Sequence, residues 1–223
     1  MQVLLVRHAL PLRSKPGEGS DPELSEAGLA QVGRLPTALD RFPVGRVVSS
    51  PQRRAVQTAA PVAAARELPV DIDDRFAEYD RDLPLYIPVE QIRAERPEEW
   101  ARMASGHLPS AVDEDAFRAR VRAGLADLVA AAGHDDTVAV FSHGGVINVL
   151  LHEILGTARL LSFPIDYASV TRLLFSRSGQ ATVVTVNAVE HVWDLLPRNL
   201  RTAPGPASRL RPARAQRQHE AHS

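Results

Sequence analysis

Three places in the chain set residues suited to phosphate chemistry directly behind a run of strand-forming apolar residues. The first is VLLVRHA at residues 3–9, where Arg7 and His8 close the run. The second is RVVSSPQRRA at residues 46–55, where Arg53 and Arg54 follow Ser49 and Ser50. The third is TVAVFSHGG at residues 137–145, which delivers His143 and then Gly144 and Gly145. A buried strand has no use for cationic side chains at its tip, whereas a dianion has. Guanidinium offers paired hydrogen bonds to phosphate oxygens and keeps its charge. The helix after His143 would add backbone N–H donors and the positive end of its dipole, and the glycines would let an anion come close. Taken singly, each tip has an ordinary explanation: a hydrogen-bonded structural histidine, solvated helix arginines, a glycine pair marking a tight turn. Their joint occurrence points to one pocket, because ligands of open α/β sheets sit beyond the carboxyl ends of the strands.

The elements that must carry these tips follow from apolar periodicity. QVLLV at 2–6 reads as a strand buried on both faces. A polar loop leads to a helix around LSEAGLAQVGRL, capped by Ser25 and ended or kinked at Pro36. RVVSS is a second strand, and PQRRAVQTAAPVAAA a helix with Ser50 as its N-cap and Pro51 at its first position. LPVDID is a third strand. DEDAFRARVRAGLADLVAAAG is an amphipathic helix ended by Gly133, TVAVFS a strand, GVINVLLHEIL a helix, and SVTRLLFSRSGQATVVTVN a hairpin turning at Ser178-Gly179. Strands alternating with helices predict an α/β fold. Residues 76–112 break the pattern with short helical pieces punctuated by proline, an excursion that would cover a site.

Composition narrows the classes further. With 44% hydrophobic and 24% charged residues, the 223-residue chain is an ordinary globular protein, and its net charge of −1 carries no nucleic-acid signature. The absence of cysteine excludes disulfides, thiolate metal sites and a cysteine nucleophile. No apolar run approaches the ~18 residues of a membrane span, so a cytoplasmic protein with neither membrane nor nucleic-acid partner is expected. Residues 201–223, rich in Arg, Pro and Ala, carry +4 and leave −5 for residues 1–200; they read as a disordered tail.

Four stretches in order, VLLVRHA (3–9), LSEAGLAQ (24–31), SSPQRRAVQTA (49–59) and SHGGVI (142–147), give the chain a specific likeness. It resembles the histidine phosphatase superfamily, also called the phosphoglycerate mutase-like family. The resemblance implies a mixed, mainly parallel sheet sandwiched by helices, forming a domain over residues 1–200 with an inserted lid at about 76–112. It implies that His8 is a nucleophile forming a phosphohistidine, that Arg7 and Arg54 hold the phosphate with Gly144 beside it, and that His143 is the second histidine of the pocket. Arg54 is preferred to Arg53 because it directly precedes the AVQTA signature. The family's general acid follows the third strand, where Glu78 matches best, with Asp74, Asp80 and Asp82 nearby. Positive charge does the electrostatic work, so no metal or other cofactor is expected, and no HxH or HExxH pattern is present to hold one.

Departures from the family pattern bear on the activity. Ala9 replaces the glycine of RHG. Pro11 and Ser14 stand where similar mutases place Ser and Asn, and an ERHYG-like stretch is missing after Glu78. A phosphatase acting on a small phosphorylated metabolite is therefore expected; the alternatives are a phosphoglycerate-type mutase and a non-catalytic phospho-ligand binding module. The chain would work as a monomer or homodimer. Tyr79, Arg81, Tyr86, Arg93, Arg96 and His107 are the candidate lid contacts, with Arg13 and Ser14 in the first loop. Tyr86 and Trp100 read rather as packing inside the lid. The lid arginines would either bind a second acidic group or pair with Glu95, Glu98 and Glu99.

Overall fold

The computed structural model describes residues 1–14, 19–83, 86–87 and 89–200, and the tail expected at 201–223 lies outside the described residues. The elements run β1 (Gln2–Arg7), α1 (Glu26–Val32), α2 (Leu35–Leu39), β2 (Val44–Ser49), α3 (Arg53–Ala65) and β3 (Val70–Ile72). A 3-10 turn (Asp74–Phe76) leads to α4 (Val89–Glu95), α5 (Pro97–Ala104), α6 (Glu114–Ala131), β4 (Thr137–Ser142) and α7 (Gly144–Leu155). The chain continues through β5 (Val170–Phe175), β6 (Ala181–Ala188), a 3-10 turn (Glu190–Leu195) and α8 (Pro197–Leu200).

The strands form one six-stranded sheet in the order β3-β2-β4-β1-β5-β6. β3, β2, β4 and β1 pair in parallel, and β5 and β6 join antiparallel, so the sheet is mixed as the resemblance implies. Alternate residues of the central strands feed opposite faces, as the period of two requires. Val3, Leu5, Val138 and Val140 pack with Phe117 and Val121 of α6 and Ile147 and Leu150 of α7. Leu4, Val6, Ala139 and Phe141 pack with Val32 of α1, Leu35 and Leu39 of α2 and Val62 of α3. Among the described residues no helix is long and apolar enough to cross a membrane.

Strand order brings the three tips together. β4 lies between β1 and β2, with Arg7 opposite Ser142 and Ser49 opposite Phe141. The pairing runs one residue past each strand: the His8 N–H donates to Ser142 O at 2.9 Å, and the Ser50 N–H to Phe141 O at 2.9 Å. His8, Ser50 and His143 thus leave the sheet side by side.

Two local expectations are corrected. Pro36 does not kink the first helix. That helix stops at Val32, and Pro36 sits in the first turn of α2, where its missing N–H costs nothing. Nor does Ser50 cap α3, which begins at Arg53 with Gln52 at the N-cap and no side-chain cap bond. Ser25 does cap α1, accepting the Gly28 N–H. That helix start is butted against the loop after β1: a Cβ on Gly28 would overlap the Leu10 carbonyl oxygen.

One buried hydroxyl ties α3 to the β1 tip. Thr58 Oγ1 accepts the Ala9 N–H at 3.0 Å and donates to Arg54 O at 2.6 Å, which sets the spacing between His8 and Arg54. Thr58→Val keeps the shape but leaves the Ala9 N–H buried and unpaired, at an expected loss of about 1–3 kcal/mol. Thermal denaturation should show a midpoint several degrees lower; an unchanged midpoint would contradict this role.

Candidate active site

The site begins at the tip of β1. His8 is almost fully buried, and its Nδ1 lies 2.8 Å from Ala9 O. A carbonyl oxygen only accepts, so Nδ1 carries the ring proton and Nε2 keeps its lone pair. Burial foremost, then the charges of Arg54 and Arg7, hold the imidazole pKa well below its usual value, so the ring is neutral. The His143 ring lies 5.1 Å from that of His8. His143 is wholly buried, with Nε2 2.7 Å from Ser50 Oγ and Nδ1 lacking a partner among the described residues. Its pKa is likewise held well below normal, by burial and then by Arg54 and His8.

Arg54 has no exposed surface at all. It donates to Ser20 O at 2.9 Å and to both Asp80 oxygens at 2.8 and 2.9 Å, and its guanidinium lies 4.7 Å from the Tyr86 ring centre. Burial works most strongly against its charge, but Asp80, Tyr86 and Glu78 together more than offset it, and the guanidinium pKa is raised. Its Nε has no partner among the described residues. Arg7, partly buried, donates to Ile165 O at 2.5 Å and stacks 3.9 Å from the Tyr167 ring centre, a cation–π contact.

Glu78 faces these groups from the segment after β3. Its Oε2 accepts the Gly145 N–H at 2.8 Å and its Oε1 the Tyr79 N–H at 3.1 Å. Gln52 braces it, accepting the Glu78 N–H at 2.7 Å and donating to Asp80 at 2.9 Å. The two N–H donors favour the carboxylate, but burial foremost, then the Asp80 charge, push its pKa up to about 7.

A cavity of about 710 Å³ opens over these groups and is lined by Arg7, His8, Arg54, Glu78 and Gly144. His143 lies against His8 without joining the lining. Arg53 turns away, ion-paired with Glu23, and of the two arginines it is Arg54 that lines the cavity. Gly144 opens α7 beside Arg7, but the next amide, Gly145, is taken by Glu78; that N–H is not the open anion donor that the glycine pair led us to expect.

The expected peripheral contacts fare differently. Tyr79, Tyr86 and Trp100 line the cavity, although the sequence reads Tyr86 and Trp100 as packing inside the lid. Arg13 lies outside the lining because it ion-pairs with Glu95 and bonds Gln91 at 2.9 Å. Arg81 is outside it too, facing Asp74 and Asp82 at 3.9 and 3.7 Å. Ser14 is buried away from the lining, and Arg93, Arg96 and His107 are exposed and outside it. Sequence reasoning missed Ser50, Gln52 and Tyr167, and weighed Asp80 only as an alternative acid. Ser50 and Gln52 sit inside the SSPQRRAVQTA stretch, a usable signal; Tyr167 stands in a loop with no motif around it. Among the described residues no three His, Asp or Glu side chains are grouped to hold a metal ion.

The arrangement defines a class: an α/β protein with a neutral imidazole, two arginines and a protonatable carboxyl at the tips of parallel strands. Comparison with known proteins gives the family. The model of the histidine phosphatase superfamily (branch 1) matches residues 3–188, and the chain belongs to that superfamily. A bifunctional protein of Mycobacterium tuberculosis is 32% identical over 196 residues, 83% of this chain but 53% of that protein, so the chain spans about half the length of that relative. Phosphoserine phosphatase 1 of Hydrogenobacter thermophilus is 29% identical over 203 residues, 87% of this chain and 95% of that one. Among solved structures, the mycobacterial glucosyl-3-phosphoglycerate phosphatase superimposes with a TM-score of 0.70 at 26% identity, covering 84% of this chain and 98% of that one.

The glycine pair offers a direct check. A Cβ on Gly145 would overlap Glu78 Oε1 and stand 3.0 Å from Tyr79 Cδ1, whereas one on Gly144 meets nothing nearer than Arg7 Nε at 3.7 Å. Gly145→Ala should cost about 1–3 kcal/mol in denaturant unfolding, as overpacking does. Gly144→Ala should be neutral or slightly stabilising, and equal losses in both would refute the close seat of Glu78.

Proposed function

We propose that the chain hydrolyses phosphate monoesters through a phosphohistidine formed on His8. The observation that carries this reading is the pairing of a neutral His8, Nε2 lone pair available, with a Glu78 whose pKa of about 7 lets it hold a proton, in one arginine-lined cavity. In the first step His8 Nε2 bonds to phosphorus while the bond from phosphorus to the ester oxygen breaks. Glu78 gives its proton to the departing oxygen, releasing the alcohol. In the second step a water oxygen attacks phosphorus as Glu78 takes its proton. The N–P bond breaks, inorganic phosphate leaves, and neutral His8 and protonated Glu78 are restored.

Arg7 and the unpartnered Nε of Arg54 neutralise the charge spread over the phosphoryl oxygens. Ser50 Oγ accepts the Gln52 N–H and bonds His143 Nε2 at 2.7 Å, which holds the His143 ring against that of His8. Relatives named as phosphatases support hydrolysis, and the mycobacterial glucosyl-3-phosphoglycerate phosphatase has also been solved with VO3 and with inorganic phosphate. Against transfer back to substrate, Pro11 is engaged in a bridge with Leu24, and Ser14 lies outside the cavity lining. The segment bearing α4 and α5, which supplies Ile92, Trp100 and Met103 to the cavity wall, selects the leaving group.

The acid limb of kcat/KM belongs to His8 and lies well below pH 6.5, because its pKa is depressed. The alkaline limb belongs to Glu78: activity is full while it is protonated and is lost as pH rises through about 7. Steady-state rates from pH 5 to 9 should fall above neutrality in the wild type, and the Glu78→Gln variant should lack that limb. An alkaline limb unchanged in Glu78→Gln would reject the assignment. The same variant should lose on the order of 10²–10⁴ on esters of poor leaving groups and far less on p-nitrophenyl phosphate, whose departing phenolate needs no proton.

A further inference from the structure

Resting on the phosphomonoesterase reading, we propose that the alcohol part of the substrate is bulky and apolar, an alkyl or aryl group rather than a phosphorylated acid or polyol. Phosphate fills only the part of the cavity beside His8 and the arginines. Away from those groups the wall is made of Ile87, Ile92, Trp100, Met103, Leu161 and Phe163, all half-buried and so presenting apolar surface to the cavity. Leu161 and Phe163 are anchored against the core from behind, which gives the wall a fixed shape.

Two polar side chains of this wall, Asn148 and Asp166, are already engaged. Asn148 donates to Gly144 O at 3.0 Å and to Phe163 O at 3.1 Å, and accepts the Phe163 N–H at 2.9 Å. Asp166 takes Arg198 at 2.5 Å and the Asn187 amide at 2.7 Å. Apart from Arg7 and Arg54, Arg198 is the one cationic arginine or lysine in the lining among the described residues, and Asp166 neutralises it. Among the described residues, a substrate carboxylate would therefore find no further unpaired cation there, and would meet the Asp166 and Asp80 carboxylates. Hydroxyl groups of a polyol lying against Ile87, Ile92, Met103, Leu161 and Phe163 would give up water for side chains that return no hydrogen bond, a cost that apolar alcohols do not carry. Arg81, Arg93 and Arg96, the arginines that could have read a second acidic group, lie outside the lining.

The test is a series of n-alkyl phosphates from ethyl to hexyl, whose leaving alcohols differ little in acidity, with O-phosphoserine and p-nitrophenyl phosphate alongside. The full chain should show kcat/KM rising roughly three- to fourfold per added methylene, as burial of each group predicts. Phosphoserine should lie at least about tenfold below hexyl phosphate, and Trp100→Ala should flatten the rise. A flat or falling series, or a preference for phosphoserine over hexyl phosphate, overturns the inference while leaving hydrolysis intact. Calorimetric binding of the matching alkylphosphonates reads the cavity without turnover. If no ester is hydrolysed yet phosphonate affinity climbs with chain length, the apolar wall stands and the hydrolytic reading falls; affinity independent of chain length overturns the wall.

Discussion

A guanidinium with no exposed surface, Arg54, is the constraint around which the site is arranged. An unmatched charge in the interior would cost several kcal/mol, so everything touching it answers to that charge. Asp80 supplies the counter-charge and the Ser20 carbonyl a further acceptor, while Thr58 holds the start of α3 against the β1 tip. Burial first, and this positive charge second, keep both neighbouring histidines neutral. Removing Asp80 would leave the arginine unpaired, and removing the arginine would leave Asp80 unpaired beside Glu78.

Burial moves the two reactive groups in opposite directions and leaves both uncharged near neutrality: His8 falls below its usual pKa and Glu78 rises above its own. With both neutral, Arg7 and Arg54 less Asp80 leave a net positive site to receive a dianion. Ionising Glu78 would cancel that charge as well as remove the proton that the leaving oxygen needs, so proton supply and anion binding fail together as pH rises.

Much of this was legible in the sequence because it is local. Arg7-His8, Arg54 and His143-Gly144 each sit immediately behind an apolar run, and once the runs are strands their tips can only point one way. What the sequence did not show depends on pairing across long intervals. The register that sets Ser49 opposite Phe141 turns Ser50 from a helix cap into the partner of His143. Asp80 looked like one alternative acid among several beside Glu78 until folding placed it on Arg54. Arg13 and Arg81 looked like ligand contacts and instead found carboxylates closer at hand. Residues 76–112 were hardest to read because their helices are short and no single periodicity reveals which face meets the cavity; Trp100 belongs to its wall rather than to packing alone.

The central claim is that a neutral His8 attacks phosphorus, and the most direct measurement is rapid quenching during turnover of a 32P-labelled phosphomonoester, followed by peptide mapping of base-stable, acid-labile label. Label on the peptide that contains His8, chased by unlabelled substrate at the turnover rate, is the result expected. Label on another residue, or turnover in the His8→Ala variant at a rate near that of the wild type, would contradict the account.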